Sequence, residues 1–330
     1  MKAIVSTIFI SLLLISCQNG TGKKHVTLFP VLVGDKIGYI DSKGKVVIEP
    51  QFSRVGYFSE GRAAVEVGSK WGYIDEEGTM VVEPKFDHGG YFSENRADVR
   101  MGDKWGFIDT LGNIVVECRF AAVRPFAENL ASVRSGDNWG CINKAGETVI
   151  PEAFVMPPIF SEGLAAFLDS VLWGYIDKSG NTVITPRFMA VGMFSEGRAP
   201  VLIDGSWGFI SNTGSFVIAP QYDFAGTFSE GLAPFRKGEK WGFIDSTGAV
   251  VIEPEFDLVY GFMDGLAAAR IGDKWGYVDR SGRIAIAVQF SFIGHFSGGL
   301  AMVMDTLRNP LYIDKAGRTI WKSEPPPSRR

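Results

Sequence analysis

A chain of 330 residues that is 46% hydrophobic, 13% aromatic and 21% charged has enough apolar surface for a continuous core, which excludes a largely disordered protein. A formal net charge of −4 with scattered basic residues excludes the clustered basic face that a polyphosphate needs, so no nucleic-acid partner is expected. Forty glycines without a collagen-like period point to many tight turns, and hence to many short strands.

The chain begins MKAIVSTIFISLLLISCQNG. Lys2 and the thirteen residues from Ala3 to Ile15 are too short to cross about 30 Å of hydrocarbon comfortably, and they fit a secretory signal peptide over residues 1–16. An uncleaved N-terminal anchor is the alternative. Leu14 to Cys17, "LISC", resembles the bacterial lipobox. That resemblance implies cleavage before Cys17, diacylglycerol on its thiol and acylation of the new amino group. Each buried CH₂ contributes about 0.8 kcal/mol, so two or three chains make a firm membrane anchor. Residues 17–25 then read as the lipidated Cys and a flexible polar tether. A non-acidic Gln18 resembles the outer-membrane default of Gram-negative lipoproteins, and the tether has no acidic run, which favours the periplasmic face over surface exposure.

From residue 26 the chain repeats itself. Trp71, Trp105, Trp139, Trp173, Trp207, Trp241 and Trp275 stand 34 residues apart, each followed by Gly. A second glycine row runs through Gly44, Gly78 and Gly112 to Gly317 without exception, beside unbroken rows headed by Phe58 and Ala63. Helix pairs share this period, but no helix of ten residues fits between glycines at 68, 72 and 78. The pattern instead alternates, turns and alternates again, predicting a three-stranded antiparallel meander per repeat. "D-x-x-G" reads as a type I turn closed by a left-handed Gly, with Asp75 and its equivalents bonding the turn N–H groups. The Trp, Phe52-row and Phe58-row rings are expected between repeats; burying one Trp removes about 150–250 Å² from water, a gross gain of roughly 4–6 kcal/mol.

These residues resemble the bacterial WG-repeat family, whose units share the "K-W-G-[YF]-I-D-x-x-G" core and the "F-S-E-G-L-A" segment. The resemblance covers about residues 26–322, with atypical ends: Ile37 replaces the first Trp, Pro310 and Leu311 fill the last Trp-Gly slot, and Trp321 lies outside the row. Both departures read as caps, and residues 323–330 as a disordered tail. The expected fold is all-β, an open β-solenoid-like array of about nine units. The alternative is a closed β-propeller-like ring, which ranks second because nine units exceed the usual four to eight blades and no split blade locks the ends.

No catalytic or cofactor-binding motif is present, and "GHFSGG" around His295 and Ser297 is simply one more "FS" connection. Cys118 and Cys141 fill slots held elsewhere by Pro or an aromatic ring, and are expected as free thiols rather than a disulfide. Glu60, Glu94, Glu128, Glu162, Glu196, Glu230 and Asp264 recur at equivalent turns. They form a candidate ligand-contact column, cation-binding in one reading. In the other, each carboxylate accepts turn N–H bonds or pairs with the Arg62, Arg96 and Arg198 row. No metal and no cofactor are expected.

The functional expectation is a non-enzymatic, lipid-anchored envelope protein whose repeats bind a protein or glycan. A passive spacer is the alternative, and an enzyme with a composite groove site the third reading. Cys17→Ser is expected to give unprocessed or soluble protein on membrane fractionation; normal membrane retention of that variant removes the lipid anchor from the account.

Overall fold

Turn chemistry decides where each strand ends. In the computed structural model, which describes residues 27–323, Gly78 takes φ +83° and donates its N–H to the Asp75 carbonyl at 3.0 Å. The Asp75 carboxylate accepts the N–H groups of Glu77 and Thr79 at 3.1 and 2.8 Å. This is the turn expected from "D-x-x-G", and Asp109, Asp177 and Asp279 repeat it. It joins Lys70–Ile74 to a rim strand, Met80–Phe86, while the Gly68 turn joins Ala63–Val67 to Lys70–Ile74. The meander therefore stands, and the connection adds a short inner strand, Arg54–Val55, beside Ala63–Val67.

Nine such sheets follow one another, the first of three strands and the rest of four, and every element among the described residues is a strand. The Gly of each Trp-Gly pair has a local cause. The rim strand's register slips between its pairings with the Trp and with the aromatic two residues later, so its backbone bulges over the glycine. A Cβ at Gly208 would stand 2.7 Å from both the Ile218 carbonyl oxygen and the Pro220 nitrogen. No side chain fits there.

The core lies between sheets rather than within them. Tyr73, Val82 and Phe86 of the second sheet close on Phe92, Ala97, Val99 and Ile108 of the third. The Tyr73 hydroxyl donates to the Gly90 carbonyl at 3.0 Å, and its ring meets Phe92 edge-on at 5.1 Å. Tyr39, Tyr175 and Tyr277 make the same bond to Gly56, Gly192 and Gly294. Burial pushes each of these phenols far above its ordinary pKa.

The open array is not what forms. Leu300 and Tyr312 of the ninth sheet, flanked by Met302, Ile320 and Trp321, pack against Phe29, Val31 and Ile40 of the first. Tyr312 donates to the Pro30 carbonyl at 3.0 Å, and Phe29 meets its ring edge-on at 5.5 Å. The nine sheets are thus blades of a closed β-propeller, the arrangement ranked second from sequence. The ranking rested on the count of nine units and on the lack of a split blade, whereas nine blades close, and closure uses side-chain packing of the kind seen at the other junctions. The last repeat, read as a cap, supplies the closing residues, Tyr312 and Trp321 among them.

The Trp row holds a second surprise. Trp71 and Trp139 are buried, but Trp105, Trp173, Trp207, Trp241 and Trp275 are half-buried; the sealed ring is the aromatic two residues on. Tyr175→Ala should therefore cost about 3–5 kcal/mol, and Trp173→Ala clearly less. Denaturant unfolding of the two variants checks the order, and a larger loss at Trp173 reverses it.

Candidate functional site

An antiparallel meander puts its alternate turns at opposite ends, so the ring has two distinct faces. One carries the "F-S-E-G" and "D-x-x-G" turns. The other carries the turns between second and third strands, with the Trp row beside them.

On the first face, Ser59 and Arg62 exchange both backbone hydrogen bonds, making Glu60-Gly61 a two-residue hairpin turn with φ of 52° and 74°. Positive φ at a glutamate costs about 1–2 kcal/mol, so something must hold it there. The Glu60 carboxylate accepts the N–H groups of Glu94 and Asn95 in the next blade at 2.7 and 2.8 Å. Glu94 does the same to Asn129, Glu128 to Gly163, Glu162 to Gly197, Glu196 to Gly231 and Glu230 to Gly265. Lys144 and Lys178 add ion pairs to Glu94 and Glu128 at 3.2 and 3.0 Å. Asp264, one methylene shorter, pairs with Lys315. The column is a head-to-tail belt that ties each turn to the next. Arg62, Arg96 and Arg198 donate to turn carbonyls instead of to these acids.

Serine completes the belt. Ser59, Ser93 and Ser161 hydroxyls donate to the Phe92, Phe126 and Phe194 carbonyls of the following blade at 2.6, 2.7 and 2.7 Å. Sequence reasoning missed this role, although a Ser exactly one repeat from the "F-S" it bonds carried the signal. Among the described residues, no group of three or more His, Cys, Asp or Glu side chains is placed to hold a metal. Cys118, half-buried, and Cys141, buried, are free thiols. Cys17 lies outside the described residues.

The second face is aromatic and cationic. Arg100 and Arg134 stand opposite Trp105 and Trp139 in register, and their guanidinium carbons lie 5.9 and 5.3 Å from the indole centroids. Arg270 lies 5.8 Å from the Trp275 ring, which Tyr260 also stacks on at 5.1 Å. His88 sits between Trp71 and Trp105, at 5.7 and 5.1 Å. Burial, then the charges of Arg100 and Arg54, hold its pKa below the ordinary value, keeping the imidazole neutral. Phe224 fills the same place between Trp207 and Trp241. Near this face burial raises Asp98 to about 6. The other strongly shifted groups are the buried tyrosines of the inter-blade row, the Cys141 thiol, raised by burial, and Asp305, lowered by its bonds to Asn309; they lie in different blades and form no cluster.

A family model described as the WG containing repeat matches residues 37–71, 71–105, 105–139, 139–168, 173–207, 207–241, 241–275 and 275–305. No curated protein matches the chain. Among solved structures, a crystal structure of the eukaryotic initiation factor is similar over 92% of this chain and 96% of its own, with a TM-score of 0.63 at 12% identity. At that identity the likeness speaks for the fold alone. BamB from Moraxella catarrhalis aligns over 87% of this chain and 96% of its own at 10% identity, with a TM-score of only 0.42.

Glu128→Ala should cost about 1 kcal/mol, and Glu128→Gln, which keeps an acceptor for Gly163, less than half of that. Thermal melts with and without added calcium check this; calcium stabilisation abolished by the Gln variant would restore the cation-binding reading of the column.

Proposed function

The chain belongs to the family of proteins built from the WG-containing repeat, and on that premise we propose that it is a non-enzymatic binding scaffold, held at a bacterial outer membrane by a lipid on Cys17. A nine-bladed ring offers two broad faces, and their residues are committed differently. The carboxylate face spends its acids and serines on holding neighbouring blades together. The Trp face keeps half-buried indoles, which pack one side on the core and leave an edge outside, together with guanidinium groups beside them. That contrast is the observation that carries the reading. Large, rigid aromatic side chains and Arg are the residues that anchor macromolecular partners. Attachment through residue 17, with a short tether before the first blade, would keep the ring near the membrane, where an envelope protein or glycan would meet it.

A photocrosslinking residue placed at Asp103, on the Trp face, should give a discrete, saturable adduct in intact cells. The same residue at Leu111, exposed on the opposite end of the same blade, should not. Equal labelling from both positions, or none, favours the passive spacer.

A further inference from the structure

The guanidinium groups on the Trp face are unequally satisfied. In the second blade Arg54 lies over Trp71, 5.3 Å from its centroid, and Glu66 grips it bidentately, accepting from Nε at 2.6 Å and from a second guanidinium nitrogen. Here the row residue opposite Trp is itself the acid. In the third and fourth blades the same row holds Arg100 and Arg134, and Arg124 also lies 5.5 Å from the Trp139 centroid. Among the described residues no hydrogen bond or ion pair engages the guanidinium groups of Arg100, Arg124 or Arg134, and Nε of Arg100 and Arg134 is buried with no hydrogen-bond partner. Asp87, an acid on this side, already holds Lys70 and the Gly102 N–H, each at 2.6 Å.

We propose that Arg100, Arg124 and Arg134, braced on Trp105 and Trp139, form a binding site for a carboxylate-bearing sugar, the uronic acid of an acidic polysaccharide. The inference rests on the scaffold reading and names its ligand. The second blade displays the interaction in internal form: a carboxylate closing a two-pronged bond on a guanidinium that an indole holds flat. In blades three and four no carboxylate closes on the corresponding cations: Asp87 and Asp98 act on Arg100 and Arg124 through charge alone, without a hydrogen bond. A saccharide fits better than an acidic peptide because a uronate carries its carboxylate on a rigid ring that can lie against an indole, whereas a glutamate side chain must order flexible methylenes to reach the guanidinium. A pyranose needs only the guanidinium prongs and the apolar edge of half-buried Trp105.

The test is titration calorimetry of the full-length protein with an oligogalacturonate, with the neutral galactose oligomer of equal length, and with a hexaglutamate peptide. Arg100→Leu/Arg134→Leu is the informative variant, since Leu168 and Leu202 occupy this slot in the next two blades and show that the fold accepts leucine there. Should its melt show that it does not fold, Arg100→Gln/Arg134→Gln replaces it. The expected result is binding of the oligogalacturonate that weakens with salt and falls at least tenfold in the variant, with no binding of the neutral oligomer. Equal binding of the neutral oligomer, tighter binding of hexaglutamate, an unchanged variant, or no binding at all overturns the assignment. The scaffold reading survives any of these if Asp103 still yields its saturable adduct, and falls with the assignment if it does not.

Discussion

This ring depends on one contact repeated at nearly every junction: a sealed tyrosine or phenylalanine of one blade, replaced by Cys141 in the fourth, set against small and branched apolar residues of the next, with each tyrosine hydroxyl spent on a backbone carbonyl across the junction. At the second junction these are Tyr73 against Ala97, Val99 and Ile108, with Gly90 as acceptor. A single meander has nothing to cover that ring, so no blade is stable alone and stability is a property of neighbours. The small residues follow from the same constraint. Ala97 and Ala131 are fully buried where the preceding blade approaches, and the glycine beside each Trp yields to the bulged rim strand.

Much of this was legible in the sequence. The turn at Asp75-Gly78, the meander and the all-β class follow from residue spacing, because each is a local consequence of glycine and aspartate backbone chemistry. Ring closure is not local. Whether thirty-four residues of twist accumulate into an open spiral or return to their start depends on small rotations at every junction, which no single motif records. The end repeat misled for a related reason: Trp321 lies outside the signature row, yet it flanks the contact by which the last blade meets the first.

The two faces divide labour in a way that residue spacing left between two readings. Glu60 and its equivalents read as a ligand stripe or as acceptors of turn N–H bonds; the bonds are made, and they run into the next blade's turn, which makes the row a belt. The Trp row invites the opposite reading, as pure core, since invariance in a repeat usually marks packing. Its half-buried rings, bracketed by arginines and by His88 or Phe224, keep one edge for the outside. Periodicity identifies which positions matter to the repeat; it does not say toward which side they face.

Among the described residues the ninth and first blades exchange no strand, and side-chain packing with the Tyr312 and Ser323 hydroxyl bonds joins them. The propeller therefore has a seam. Assembly can run blade by blade to a nearly complete horseshoe whose last event is the docking of its two tips, and the same junction is the one that parts without tearing any sheet.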